Sequence, residues 1–503
     1  MSSSITDSRQ SREQSIDLDP GIFRQAGHRL VDDIADFLSG IRKYPVTPAP
    51  LPHELRQKLP ESMPEKGADA LTLVKEAWDL MLNHSLFNGH PRFWGYITSS
   101  AAPLGMLADL LASAINSNCG AYVLSPMATE IEKQTIQWLA GFIGFPAGSG
   151  IMVSGGNMAN FVGFLAGRKA KAGWDIRKEG LQPSRGKWRI YSSADTHTWI
   201  NKATDLFGLG LDAISWIPID KSQRMDIVAL EKKILSDKEE GLVPMMIIGT
   251  AGSVGTGAVD ELDKIAIICQ RENCWFHVDG AYGGFAASLP ELRSLFKGIE
   301  LADSVAMDPH KWLYSPLEAG CTLVKDSKAL TAAFSFHPTY FNFDGKEEPE
   351  TNFYEQGFQN SRGFRALKVW LEFRHLGADG HAQLIRKDIR LAQSLFSILE
   401  ASPEIETFTQ HLSIVTFRYC PKEAKGNQEY LNKLNQELLD KLQFGGEIFP
   451  SNAIIDGSFL LRICIVNFRT QLEDMSSLVE IVLKEGNILH KKMKAQMDAG
   501  ENA

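Results

Sequence analysis

Short apolar runs alternate with amphipathic helical stretches between about residues 151 and 324. Continuous apolar runs that alternate with helices are typical of a mainly parallel sheet with helices on both faces. The pattern therefore predicts an α/β fold for this part of the chain. The clearest strand candidates are WRIYSS (188–193), MMIIGT (245–250), WFHVDG (275–280) and SVAMD (304–308).

The segments before and after this region follow other patterns. Apolar positions recur at helical spacing from Pro20 to Ile41, and two further helical patterns cover roughly 69–84 and 102–116. After about residue 380, strand candidates at 412–419 and 459–468, with helices between and after them, predict a smaller α/β unit. The predicted order is a flexible tail (1–18), an N-terminal helical arm (19–100), a large domain (101–378), a small C-terminal domain (379–490) and a frayed tail (491–503).

Composition and charge narrow the class of protein. The 503 residues are 44% hydrophobic and 22% charged, which is ample for a large core. The net charge is −9 and no basic block is present, so we expect no nucleic-acid partner. The most apolar stretch, 101–115, is interrupted by Pro103, Gly105 and Asp109, so we expect no membrane span. The polar start and the scattered cysteines favour a cytoplasmic location.

Polar residues that can do chemistry directly follow the predicted strands. They are Ser154-Gly155-Gly156-Asn157, His197, Thr250, Asp279 and His310-Lys311. In an open parallel sheet, ligands bind beyond the carboxyl ends of the strands. The sequence therefore predicts that these residues meet at one edge of the sheet.

The segment from Ser154 to Asn157 has the features of a phosphate site. Its glycines let the backbone approach an anion, and the helix that follows supplies free N–H groups and a favourable dipole. Two glycines are weak evidence alone, since an ordinary turn capped by Asn157 fits the same residues.

Asp279, Lys311 and His197 each allow a functional and a structural interpretation. The carboxylate of Asp279 at a buried strand end can pair with a protonated pyridine nitrogen, or it can form a structural salt bridge or serve as an N-cap. Lys311 lies between an apolar run and Trp312, where burial would make its amine nucleophilic. His197 can stack on a flat cofactor or serve as a structural histidine. Together these are the parts that a pyridoxal 5'-phosphate (PLP) enzyme needs.

Several motifs of the chain resemble those of the group II PLP-dependent amino-acid decarboxylases. HVDGAYGG (277–284) and DPHKW (308–312) are the most specific of them. The resemblance covers roughly residues 20 to 490 and implies a fold-type I architecture and a homodimer with active sites at the subunit interface. The supporting segments are SGGNMAN (154–160), SSADTHTW (192–199), GTAGSVGTGAVDE (249–261), FRQAGHRLVDDIADFLSGIRKYPVTP (23–48) and LRICIVNFRT (461–470).

The resemblance implies a role for each matching residue. Lys311 matches the lysine that holds PLP as a Schiff base, Asp279 the partner of the pyridine nitrogen, and His197 the stacking histidine. Asn157 departs from the aromatic enzymes, which have a short hydroxyl side chain at this position. The other cofactor contacts that the resemblance implies are Gly155, Gly156, Asn157, Thr250, Ala281 and His310.

Tyr340 is the candidate proton donor. AAFSFHPTYF (332–341) resembles the catalytic loop of the aromatic decarboxylases, in which a tyrosine delivers a proton to Cα. Related aldehyde synthases have phenylalanine there, so Tyr340 favours simple decarboxylation. The stretch 338–352 is rich in Gly, Pro and charge, and predicts a loop that closes over the site. Composition alone fits a surface tyrosine equally well.

The sequence gives the least information about the identity of the substrate. Tyr96, Thr98 and Gly120 lie in aromatic-rich segments that favour an aromatic amino acid, although these segments also fit core packing. Decarboxylation of an acidic or diamino acid, an aldehyde synthase or another fold-type I enzyme, and a non-catalytic scaffold remain alternatives. The histidines show no metal-ligand spacing, so we predict no metal site.

Overall fold

The computed structural model of the chain describes residues 16–336 and 350–500. These described residues divide into two compact units, one that runs to residue 87 and includes 444–447, and one that begins at residue 88 and contains the rest. The helices of the first unit are α1 (Pro20–Gly40), α2 (Pro52–Arg56) and α3 (Ala70–His84).

The first unit has its own small aromatic core. Asp19 starts α1, because its carboxylate accepts hydrogen bonds from the N–H groups of Gly21 and Ile22. Near the end of α1, the Phe37 ring lies 5.0 Å from that of Phe87. The predicted helices at 20–41 and 69–84 are therefore confirmed as α1 and α3.

The second unit contains a seven-stranded sheet. Its strands are β1 (Ser149–Val153), β2 (Trp188–Ser193), β3 (Ile214–Ile217), β4 (Val243–Thr250), β5 (Trp275–Asp279), β6 (Ser304–Met307) and β7 (Gly320–Val324). Their order across the sheet is β1-β7-β6-β5-β4-β2-β3. The helices around it are α4 (Pro103–Ile115), α5 (Pro126–Ile143), α6 (Gly156–Lys171), α7 (Ile176–Glu179), α8 (Trp199–Leu206), α9 (Ile227–Glu239), α10 (Leu262–Glu272), α11 (Pro309–Trp312) and α12 (Ala329–Phe334).

The direction of the strands brings the polar residues that follow them to one edge of the sheet. The pairs β2–β3, β2–β4, β4–β5 and β5–β6 are parallel, and β7 runs antiparallel to both β1 and β6. Thr250 at the end of β4 is in register with Asp279 at the end of β5. The mainly parallel sheet predicted from the sequence is confirmed.

Helices cover both faces of this sheet. His277 and Phe276 are neighbours on β5, so their side chains point to opposite faces. The ring of His277 contacts α6, where Asn160 Oδ1 lies 2.7 Å from its Nε2. On the other side, a Cβ atom at Gly249 would lie 3.2 Å from Phe276 and 2.8 Å from Leu262 of α10. The two faces therefore carry different helices, as predicted.

The C-terminal part of the second unit has a separate sheet. The elements are α13 (Ala366–Glu400), β8 (Ile405–His411), β9 (Ile414–Tyr419), α14 (Gln428–Phe444), β10 (Ser451–Ile455), β11 (Ser458–Cys464) and α15 (Leu472–Gly500). The four strands are antiparallel and are ordered β10-β11-β9-β8. Helix α13 is broken at Gly377, whose φ of 68° is in the left-handed region.

The six cysteines are all free and buried. Among the helices of residues 16–336 and 350–500, none is long and apolar enough to cross a membrane.

Candidate active site

A cavity of about 340 Å³ lies at the carboxyl edge of the seven-stranded sheet. Because the edge collects the ends of β1, β2, β4, β5 and β6, residues far apart in sequence meet there. Those predicted site residues that line the cavity are Gly155, Gly156, Asn157, His197, Thr250, Asp279, Ala281 and Lys311.

The turn between β1 and α6 is closely packed and has no room for side chains. A Cβ atom on Gly156 would lie 2.7 Å from Asp308 Oδ2 and 3.1 Å from Ala281 Cβ. A Cβ atom on Gly155 would lie 3.0 Å from His310 Cε1. Glycine at both positions therefore leaves the backbone at the start of α6 open to an anion in the cavity.

Asp279 is held in place by two hydrogen bonds. Its Oδ2 accepts from Trp199 Nε1 at 2.7 Å, and its Oδ1 accepts from the N–H of Ala281 at 3.2 Å. The side chain is only 7% exposed. A carboxylate so buried is stabilised by a cation, and the protonated ring nitrogen of a pyridine suits this position in the cavity.

Trp199 also orients His197. The backbone N–H of Trp199 donates to His197 Nδ1 at 3.2 Å, which leaves the proton of the neutral ring on Nε2. Burial lowers the pKa of His197, and the nearby Asp279 opposes this shift. A ring that is neutral at pH 7 is suited to stacking on a flat cofactor.

Lys311 lies on α11, directly after β6. Its Nζ is 3.0 Å from Asp308 Oδ2, and its side chain is 19% exposed. The turn that carries it is fixed by neighbours: Ser99 Oγ donates to the His310 carbonyl at 2.7 Å, and Ala319 N–H donates to His310 Nδ1 at 3.1 Å. The amine of Lys311 is therefore presented to the cavity from a fixed turn.

The residues present fit PLP. The glycine turn suits a phosphate, and Asp279 suits a pyridinium. Thr250 Oγ1 is a buried atom that has no hydrogen-bond partner among the described residues, while the Thr250 N–H is held by Asp260 Oδ2 at 2.8 Å. A hydroxyl left free at the edge of the cavity is available to a polar group of a ligand.

Four predicted residues do not line the cavity within the described ranges: His310, Tyr96, Thr98 and Gly120. His310 lies behind the glycine turn. Tyr96 is 62% exposed. A Cβ atom on Gly120 would lie 1.9 Å from the carbonyl oxygen of Asn360, so this glycine is required by close packing. Their proposed roles stay predictions, and Tyr340 lies outside the described residues.

Sequence reasoning assigned no role to Trp199 or Asp308, although both lie in the motifs that carried the resemblance. Asp308 follows β6 as Asp279 ends β5, so the same strand-end argument applies to it. Trp199 had no comparable signal, because its partner Asp279 is 80 residues away. Within residues 16–336 and 350–500, no group of three or more His, Cys, Asp or Glu is placed to hold a metal ion.

Several known proteins are similar to this chain over nearly its whole length. An aromatic-L-amino-acid decarboxylase of Bacillus atrophaeus is 34% identical over 479 residues, which cover 94% of this chain and 96% of the relative. A phenylacetaldehyde synthase of a Rosa hybrid cultivar is 28% identical and covers 89% of this chain and 90% of its own. The crystal structure of Oryza sativa TDC with PLP and tryptamine superposes with a TM-score of 0.87 at 26% identity, covering 95% of this chain and 100% of that one.

A domain family matches most of the chain. The pyridoxal-dependent decarboxylase conserved domain covers residues 52–420, which include the whole seven-stranded sheet and its cavity. The predicted fold-type I architecture and PLP cofactor are thereby confirmed. The chain therefore belongs to the pyridoxal-dependent decarboxylases and is a PLP-dependent carboxy-lyase.

Proposed function

We propose that this enzyme decarboxylates an aromatic L-amino acid to its amine and CO₂, with Lys311 as the residue that binds PLP covalently. The observation that carries the proposal is the meeting of Lys311, Asp279 and the Gly155-Gly156 turn around one cavity. Among the described residues, Lys311 is the only lysine that lines this cavity.

The residues around the cavity have different roles in the proposed reaction. Bound PLP supplies a sink for the electron pair that departing CO₂ leaves behind. Asp279 stabilises the positive charge of the ring nitrogen from a fixed position, which costs no reorganisation during the reaction. The neutral ring of His197 provides a flat contact surface, and the backbone of the glycine turn holds the phosphate.

An aromatic substrate is supported by the relatives. The Bacillus protein is an aromatic-L-amino-acid decarboxylase, and the rice structure holds tryptamine. We expect CO₂ release from one of tryptophan, tyrosine, phenylalanine, DOPA or 5-hydroxytryptophan to exceed that from every other amino acid. A panel of the common amino acids plus these compounds and diaminobutyrate measures it. Fastest release from glutamate, aspartate or diaminobutyrate would instead support the acidic or diamino-acid alternative.

An aldehyde synthase is the second candidate, because the rose relative is one. The two activities differ in product: decarboxylation gives the amine, whereas the synthase consumes O₂ and water and gives aldehyde, ammonia and hydrogen peroxide besides CO₂. Tyr340 favours the amine, because the segment that carries it resembles the catalytic loop of the aromatic decarboxylases.

The Tyr340→Phe variant separates these products. Without the phenol, proton delivery to Cα slows, so we expect amine formation to fall by about 10²-fold and aldehyde with peroxide to appear. Chromatography of the products and a peroxide assay measure both. Amine formation at the wild-type rate would exclude Tyr340 as the proton donor.

We also propose that the enzyme is a homodimer and is cytoplasmic, where its six free cysteines would stay reduced. The observation that supports the dimer is an apolar exposed face on α4, where Leu107, Leu110, Leu111 and Ile115 are 49–68% exposed. Exposed apolar patches of this kind mark protein interfaces. Light scattering of the purified enzyme should give the mass of two chains, and the mass of one chain would contradict the dimer.

A further inference from the structure

The turn that carries Lys311 is anchored on the side away from the cavity by a buried carboxylate. Trp312 and Tyr314 follow Lys311, and neither lines the cavity. Trp312 Nε1 donates to Asp388 Oδ2 at 3.0 Å, and the Tyr314 hydroxyl donates to the same oxygen at 2.6 Å. Asp388 lies on α13, 74 residues after Tyr314. A single oxygen atom of α13 therefore holds two side chains that directly follow the cofactor lysine.

Tyr314 has a backbone conformation that requires such an anchor. Its φ is 62°, in the left-handed region that residues other than glycine rarely adopt. The residue lies just after α11, where its N–H donates to the Lys311 carbonyl at 3.2 Å and its own carbonyl accepts from the Ala102 N–H at 2.8 Å. A strained residue keeps its conformation only where its surroundings fix it. The hydrogen bond to Asp388 is one of the contacts that fix Tyr314.

The ring of Trp312 packs against a wall of the cavity. It stacks on Tyr282 with the ring centroids 5.0 Å apart, and Tyr282 lines the cavity. The Tyr282 hydroxyl is held by Ser413, whose Oγ is 2.7 Å away and whose N–H donates to it at 3.1 Å. Trp312 is therefore fixed at its face by Tyr282 and at its ring nitrogen by Asp388. A shift of Trp312 would move the backbone next to Lys311.

The environment of Asp388 points to the same two donors. The side chain is fully buried, which raises its pKa to about 7, and the hydrogen bonds from Tyr314 and Trp312 oppose the rise. Its other oxygen, Oδ1, has no hydrogen-bond partner among the described residues, and the nearby Asn467 N–H affects the pKa less than either ring donor. Burial of a carboxyl is unfavourable unless specific contacts compensate it. Both hydrogen bonds that Asp388 accepts lead to the residues after Lys311.

We propose that Asp388 is a positioning residue for Lys311, which it holds toward the cavity by accepting the hydrogen bonds of Trp312 and Tyr314. The inference rests on the proposed function, which makes Lys311 the residue that binds PLP. Asp388 does not line the cavity, so it acts only through α11 and the residues after it. Its loss should leave Lys311 chemically intact but seldom in the geometry that attack on the cofactor requires.

The test measures how fast Lys311 binds the cofactor, a reaction that needs no substrate. Apoenzyme is mixed with PLP by stopped flow, and growth of the absorption band at about 420 nm, which a lysine-bound PLP gives, yields the rate constant. We expect this rate constant to fall about tenfold in Tyr314→Phe, which loses one hydrogen bond, and about 10²-fold in Asp388→Leu, which loses both. The band still forms in both variants, because Lys311 is present.

Two further variants separate positioning from other effects. In Asp388→Asn the charge is lost, but the amide oxygen can still accept both hydrogen bonds, so the rate constant should be within about threefold of the wild type. Tyr419→Phe is the matched control for Tyr314→Phe. Tyr419 is also fully buried, and its hydroxyl donates to Glu404 Oε1 at 3.3 Å, away from the cavity. Its variant should keep the wild-type rate constant.

Wild-type rate constants in both Tyr314→Phe and Asp388→Leu would overturn the inference. So would an Asp388→Asn variant as slow as Asp388→Leu, or an equal slowing in Tyr419→Phe and Tyr314→Phe. If Asp388→Leu does not fold, Tyr314→Phe, which removes one oxygen atom, decides the question together with its control. Failure of the proposed function is distinguishable, because the band would then persist in Lys311→Ala, whatever the rate constants of the other variants.

Discussion

Replacing Lys311 by alanine should abolish decarboxylation and remove the visible absorption band at about 420 nm that a lysine-bound PLP gives. We expect CO₂ release to fall by at least about 10³-fold, because the variant has no amine in the cavity to bind the cofactor covalently. Absorption spectroscopy of the purified holoenzyme and a CO₂ assay measure the two effects.

The control for this variant is Lys328→Ala. Lys328 is exposed and does not line the cavity, so its variant should keep both the band and the activity. Persistence of the 420 nm band in Lys311→Ala would mean that another lysine binds PLP. It would also remove the basis for every role assigned here to the neighbours of Lys311.

The Asp279→Asn variant should bind PLP and react slowly. The amide oxygen can still accept the hydrogen bond from Trp199 Nε1, while the amide nitrogen cannot accept the longer one from the Ala281 N–H. What is lost is the negative charge beside the ring nitrogen, and we expect kcat to fall by about 10²–10³-fold. Steady-state kinetics together with the absorption spectrum separate this loss from a loss of cofactor.

A wild-type kcat in Asp279→Asn would contradict the role of Asp279. Asp303→Asn is the control, because it makes the same change at a carboxylate that accepts a hydrogen bond from the Phe276 N–H at 2.7 Å and lies outside the cavity. Its kcat should equal that of the wild type.

The position of the site at the edge of the sheet could be predicted from the sequence, because it follows from a simple rule of strand geometry. Parallel strands place their carboxyl ends together. Thr250, Asp279 and Lys311 each follow an apolar run, so their meeting requires only that β4, β5 and β6 be neighbours, as they are.

The contacts that orient these residues could not be predicted in this way. The hydrogen bond from Trp199 to Asp279 depends on how α8 packs against the end of β5, and no local pattern encodes it. The approach of Gly120 to the Asn360 carbonyl joins residues 240 positions apart. Packing between distant segments, rather than periodicity, determines both.

The measurement that tests the central claim most directly is the location of the cofactor on the chain. The holoenzyme is reduced with borohydride, digested and analysed by mass spectrometry. We predict a phosphopyridoxyl group on Lys311, in the peptide that contains DPHKW. An unmodified Lys311 peptide, or the same group on a different lysine, would contradict the account.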